Sequence, residues 1–125
     1  MGRSLTLCTR VNNAFRAPLK LPALESLVAR VTRDRPPTSL LARLAPNHYQ
    51  YRSGSNRRVE RFGLALELDI SDFVDWNIFY ALADGGHDAL IQHVERDETI
   101  LDVGANNGCL SLRLAREVGP GGRVI

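Results

Sequence analysis

The chain has 125 residues, of which 44% are apolar and 24% are charged. This length and composition are typical of one small globular domain and exclude a disordered or fibrous protein. No run approaches the roughly 18 apolar residues that a membrane span needs. The first ten residues also lack the apolar core of a secretory signal. We therefore expect a cytoplasmic protein without a membrane partner.

The two halves of the chain carry opposite charge. Residues 1–62 hold twelve basic and three acidic side chains, whereas residues 63–125 hold four basic and eleven acidic ones. A basic half can bind nucleic acid, but no aromatic RNA-binding motif accompanies it here. We therefore expect the halves to neutralise each other in part on folding, and we expect no nucleic-acid partner.

Residues 1–44 predict a basic helical arm. Within it, residues 22–31 place apolar side chains at the three-and-four spacing of an amphipathic helix, and Pro36-Pro37 stop that helix. The leucines of residues 40–44 predict one more short helix, which Pro46 ends.

Residues 45–94 form a lead-in segment that begins with a small antiparallel β element. The segment 48–52 enters a turn at residues 53–56, whose composition favours turns. Residues 63–70 then alternate apolar and polar side chains, as a half-buried strand does.

Two helices are expected in the rest of the lead-in. Ser71 or Asp72 can cap the first helix, whose aromatic stripe predicts core packing and continues until Gly85-Gly86 breaks it. The second helix is expected to start at Asp88.

Residues 95–125 predict the start of a βαβ crossover. Residues 99–104 form a short apolar run, typical of a strand buried on both faces of a parallel sheet. Residues 109–118 allow a strand or a helix, but an i,i+4 pair of Arg113 and Glu117 and the glycine-rich stop after residue 118 favour a helix. Residues 123–125 then begin a second strand.

The glycine-rich turn between this strand and this helix is the candidate binding site, because α/β sheets bind nucleotides outside the carboxyl ends of their strands. Gly104 can adopt positive φ, and Gly108 lets a ligand approach the start of the helix. Asn106 tolerates the left-handed backbone better than most residues with a side chain. The glycine spacing, G-x-x-x-G, departs from the G-x-G-x-x-G of loops that bind pyrophosphate.

Asp102 narrows the class of ligand. Its negative charge, near the end of the strand, repels a diphosphate but attracts an ammonium or a sulfonium centre. S-adenosylmethionine carries both cations and one carboxylate, and N–H groups at the start of a helix can bind that carboxylate. The residue types therefore favour a cationic nucleoside without phosphate over a nicotinamide dinucleotide.

Several segments resemble FkbM-type S-adenosylmethionine-dependent methyltransferases. LDVGANNG at residues 101–108 and GPGGRVI at residues 119–125 resemble motif I of that family and the approach to motif II. Upstream, YQYR, RRVERFG and LDISDFVDW, which begin at residues 49, 57 and 68, resemble the family's lead-in. The resemblance covers about residue 45 to the end of the chain.

The resemblance implies a Rossmann-like class I methyltransferase fold and S-adenosylmethionine as the cofactor. It also implies a small-molecule acceptor, since the family commonly methylates hydroxyl groups of sugars or natural-product scaffolds. By the same resemblance, six residues line the methionine and ribose side of the cofactor: Asp102, Gly104, Ala105, Asn106, Asn107 and Gly108.

The chain departs from the family in that it stops within the second strand, before the acidic residue that binds the ribose hydroxyls in relatives. We therefore expect a truncated fold, with the first βαβ unit only and no activity by itself. No catalytic base can be assigned, because His87 and His93 precede the motif and the sequence alone identifies no residue that would position either of them. The two distant cysteines, Cys8 and Cys109, predict neither a disulfide framework nor a metal site.

Two other functions remain open. A dinucleotide-dependent oxidoreductase would need a second glycine near position 106 and an acidic residue further along the chain. A noncatalytic remnant would use the basic helical arm of residues 1–44 to bind a partner, and its glycine loop would have no ligand.

Overall fold

The computed structural model describes residues 6–36, 38–82 and 85–125. These residues form two compact units, the first within residues 1–59 and 67–83, and the second within residues 60–66 and 84–125. Both helices and strands are present, so the chain is a mixed α/β protein. No helix in the described ranges is long and apolar enough to span a bilayer.

The first unit is mainly helical. The helix predicted at residues 22–31 is confirmed. It ends at Val31, before Pro36 and Pro37, which were expected to stop it. Its end is set by Thr32, whose Oγ1 donates a hydrogen bond to the carbonyl of Tyr80 at 2.8 Å. The unit contains helices α1, Leu7–Arg16, α2, Pro22–Val31, and α3, Phe73–Phe79, with 3₁₀ turns at Ala17–Lys20, Ala42–Leu44 and His48–Gln50.

The predicted antiparallel β element is present, but its strands differ from those expected. Strand β1 is Asn56–Arg61 and strand β2 is Leu64–Asp69. The turn lies at Phe62 and Gly63, whose φ values of 55° and 68° provide the left-handed pair that a tight hairpin requires. The turn predicted at residues 53–56 therefore precedes the hairpin rather than forming it.

The segment before the hairpin forms a 3₁₀ turn, His48–Gln50, which Asn47 caps reciprocally with Gln50. The Asn47 N–H donates to Oε1 of Gln50 at 2.9 Å. This local capping satisfies backbone groups that a strand would have paired with a neighbour.

Asp72 caps α3, as predicted: its Oδ1 accepts hydrogen bonds from the N–H groups of Val74 and Asp75 at 2.8 and 3.2 Å. The helix ends at Phe79, well before Gly85-Gly86, because Ala81 adopts a left-handed φ of 49°. The expected core packing of the aromatic stripe is confirmed for Trp76, Phe79 and Tyr80, which are buried, and is wrong for Phe73, which is 57% exposed.

A buried hydrogen-bonded cluster lies in the core of the first unit. The hydroxyls of Tyr51 and Tyr80 are 2.7 Å apart. Glu25, which is 2% exposed, accepts two hydrogen bonds from the guanidinium of Arg57, at 2.6 and 3.3 Å. The bidentate pairing compensates for burying the carboxylate, whose removal from water would otherwise be costly.

The second unit contains the predicted βαβ arrangement. Strands β3 and β4 pair in parallel, with Thr99 opposite Arg123 and Ile100 opposite Val124. Helix α5 joins them and has the bounds expected from the sequence. The elements are α4, Gly85–Ile91, β3, Thr99–Ile100, α5, Cys109–Val118, and β4, Arg123–Val124.

Three expectations for this unit are wrong. Helix α4 begins at Gly85 rather than at Asp88, so the glycines expected to break a helix start one. Strand β3 is only two residues long, and the expected burial on both faces is absent, with Leu101 70% and Val103 85% exposed. Within the described residues β3 pairs with β4 alone. A sheet of two short strands is too small to cover the side chains of Leu101 and Val103.

The third correction concerns Arg113, which was expected to pair with Glu117. Its guanidinium instead pairs with Asp88 at 2.5 Å and lies 4.0 Å from the centre of the Phe62 ring. The aromatic face and the carboxylate together bind this side chain through charge and cation–π attraction.

The tyrosine pair predicts how stability depends on alkaline pH. Burial, aided by the hydrogen bond that Tyr51 shares with Tyr80, raises the pKa of Tyr51, and burial likewise raises the pKa of Tyr80 above its ordinary value. Above about pH 10 the unfolded chain releases protons that the folded chain retains. The free energy of unfolding should therefore be insensitive to these groups below that pH, and should fall as the pH rises above it.

Urea unfolding at several alkaline pH values measures this slope, and a Tyr51→Phe, Tyr80→Phe double variant should abolish it. Tyrosinate absorbance from all three tyrosines while the far-ultraviolet circular dichroism stays native would contradict the prediction.

Candidate functional site

The candidate site is the loop of residues 101–108, which connects β3 to α5 at the carboxyl end of the small parallel sheet. The Ile125 N–H donates to the carbonyl of Ile100 at 2.9 Å, and the Asp102 N–H donates to the carbonyl of Ile125 at 2.8 Å. Backbone pairing between the strands therefore continues as far as Asp102, and the chain leaves the sheet after it. The first residues of the loop are therefore held in place by backbone hydrogen bonds to the neighbouring strand.

Positive φ recurs at every second residue along this loop. The φ values of Gly104, Asn106 and Gly108 are 85°, 51° and 76°. The expected positive φ of Gly104 and left-handed backbone of Asn106 are thus both confirmed. The loop leads directly into the start of α5, where the helix dipole favours anions.

Asn107 prepares the start of α5. Its Oδ1 accepts a hydrogen bond from the Cys109 N–H at 3.2 Å, and the Gly108 carbonyl accepts the first helical bond from the Leu112 N–H at 3.0 Å. Gly108 itself occupies the N-cap position without a side chain. The positive end of the helix dipole therefore begins directly at the end of the loop.

Asp102 is half-buried and is oriented by Ser111, whose Oγ donates to its Oδ2 at 2.5 Å. Ser111 is the third residue of α5, so this contact ties the end of β3 to the first turn of the helix. A carboxylate can accept about four hydrogen bonds, and one of its oxygens is engaged here. The sequence analysis did not identify Ser111 as a site residue. Its hydroxyl lies in the first helical turn after the glycine loop, and this position is the feature that could have indicated it.

The loop surface is open to solvent. Residues 104–107 are exposed, and a Cβ added at Gly104 or Gly108 would meet nothing within 4 Å. These glycines therefore permit the positive φ values of the loop. The space beside them is open and is not filled by another part of the protein. All six residues predicted to bind a cofactor lie on this one loop.

No protein-family model, curated protein or solved structure matches this chain. In the part of the chain that the structure describes, no three His, Cys, Asp or Glu side chains are grouped so as to hold a metal ion. The loop, the start of α5 and the side chain of Asp102 therefore determine which ligands the site can bind.

The hydrogen bond between Ser111 and Asp102 can be measured by a double-mutant cycle. We expect Asp102→Ala, Ser111→Ala and the double variant to show a coupling free energy of about 1–2 kcal/mol, because the acceptor is charged and half-buried. Urea unfolding of the four proteins gives this value. Additive effects of the two substitutions would show that the contact does not join strand and helix.

Proposed function

We propose that the loop of residues 102–108 binds S-adenosylmethionine and that the protein is an S-adenosylmethionine-dependent methyltransferase. The observation that best supports this proposal is the combination, in one solvent-accessible loop, of a backbone that leads into the start of α5 and an oriented carboxylate. The first feature favours an anionic group and the second a cationic one. The methionine part of the cofactor carries both kinds of charge.

In this proposal each end of the loop would have its own role. The cofactor's carboxylate would accept hydrogen bonds from N–H groups of residues 104–107, near the positive end of α5. Asp102 would attract the ammonium group and favour the positively charged sulfur. A diphosphate fits less well, because its charge would be repelled by Asp102.

When bound by Asp102 and the N–H groups of residues 104–107, the cofactor would supply an activated methyl group for transfer to an acceptor hydroxyl. This chain's contribution is to hold the donor in a fixed orientation, and alignment of two reactants is a large part of the rate enhancement in such transfers. By the resemblance, the acceptor is a sugar or natural-product hydroxyl.

Removing the charge of Asp102 should weaken binding of the product S-adenosylhomocysteine to the full 125-residue chain. We expect Asp102→Asn to lower the affinity about tenfold, since a charge-assisted hydrogen bond is replaced by a neutral one of similar shape. Isothermal titration calorimetry measures the affinity. Glu117→Gln is the matched control, because it removes an exposed charge from α5 without touching the loop. Tighter binding of a nicotinamide dinucleotide would instead favour an oxidoreductase.

Gly104→Val tests the backbone of the loop, because valine is strained at positive φ and its side chain would occupy the open space. Gly54→Val is a matched control, since Gly54 has a similar φ of 79° and also has nothing within 4 Å of an added Cβ. Both variants should lose similar stability, but only Gly104→Val should lose affinity for S-adenosylhomocysteine. Equal affinity of the two variants would remove the loop from the site.

A further inference from the structure

Helix α1, Leu7–Arg16, packs onto the first unit by its polar side. The Asn13 Oδ1 accepts hydrogen bonds from the Asn47 Nδ2 and from the Tyr49 hydroxyl, both at 3.3 Å. The Gln50 Nε2 donates to the backbone carbonyl of Asn13 at 3.0 Å. Thr9, one turn earlier on the same side, is half-buried. Polar contacts therefore fix which side of α1 faces the protein.

The opposite side of α1 is an apolar stripe formed by Leu7, Val11 and Phe15, which are 78%, 47% and 79% exposed. Residues four apart lie about 40° apart around a helix, so the three side chains share one narrow face. No residue of α1 is buried. A helix at a protein surface ordinarily buries its apolar face and exposes its polar one, and α1 does the reverse.

The charge around this stripe indicates what it binds. Residues 1–24 contain four basic side chains and no acidic one. Of those that the structure describes, Lys20 donates to the Gln50 carbonyl and Arg16 is half-buried, whereas Arg10 is exposed and, at 100° per residue, flanks the stripe on the helix. An apolar face beside an exposed arginine, in a segment without acidic side chains, fits a helix that lies in the headgroup region of an anionic membrane.

We propose that α1 binds an anionic phospholipid surface, with the stripe of Leu7, Val11 and Phe15 inserted among the acyl chains. With ten residues the helix is about 15 Å long, which is too short to cross the hydrocarbon core and suits an orientation parallel to the surface. The expectation of no membrane partner was argued from the absence of a spanning segment, and such an argument does not extend to a helix lying on the surface.

A second copy of the chain is the less suitable occupant. Two α1 stripes facing each other would bring like charges at Arg10 together. Three side chains also provide far less than the roughly 800 Å² per partner that a stable protein interface buries. Lipid imposes neither restriction. This inference is independent of the proposed methyl transfer.

Sedimentation of the full chain with vesicles tests the proposal. We expect binding to phosphatidylcholine vesicles that contain phosphatidylglycerol, and at least about tenfold weaker partitioning to pure phosphatidylcholine or at high salt. Phe15→Ser should weaken partitioning about tenfold, since a large apolar side chain no longer enters the bilayer. Leu40→Ser is the matched control, because Leu40 is equally exposed, at 78%, and lies outside the stripe.

Tryptophan fluorescence gives a second readout that does not depend on removing apolar surface. In a Phe15→Trp variant, anionic vesicles should shift the emission to the blue, and lipids brominated on the acyl chains should quench it; a Leu40→Trp variant should show neither effect. Equal partitioning of the wild type and Phe15→Ser would overturn the proposal. The absence of vesicle binding would also overturn the proposal. In that case, a dimer that Phe15→Ser dissociates would show that the stripe binds a second copy of the chain, and a monomer would show that it binds neither.

Discussion

The left-handed backbone at Gly104, Asn106 and Gly108 is the constraint on which the candidate site depends. Glycine adopts this conformation freely, and Asn106 is the one residue of the loop that adopts it with a side chain. Two contacts hold the ends of the loop: the Asp102 N–H donates to the Ile125 carbonyl, and the Asn107 side chain accepts a hydrogen bond from the Cys109 N–H.

Each of the two units uses polar side chains to fix where its elements begin and end. Thr32 ends α2 through the carbonyl of Tyr80, and Asn13 determines which side of α1 faces the protein. In the second unit, Ser111 orients the carboxylate of Asp102. Because a buried or half-buried hydrogen bond is costly to leave unmade, each of these contacts selects one arrangement where apolar packing alone would allow several.

The features that the sequence predicted correctly are set by neighbouring residues. The Asp72 cap, the bounds of α5 and the positive φ of Asn106 all follow from local preferences. The features that it predicted wrongly or missed depend on distant partners. The charged strand Asn56–Arg61 exists because Phe62 and Gly63 fold it back onto β2, and Ser111 meets Asp102 only once the crossover has formed. The exposure of Val103 depends on which strands are adjacent, and local pattern does not encode this.

Nuclear magnetic resonance of the ¹⁵N-labelled chain during titration with S-adenosylhomocysteine tests the central claim most directly. If this loop is the binding element, the amide signals of residues 102–108 shift progressively and saturably. Their changes are larger than those of the turn at Gly54, which has a similar φ of 79° but does not lie at the carboxyl end of a parallel strand. Saturable shifts confined to other residues, or unchanged loop amides at saturating ligand, would contradict the account.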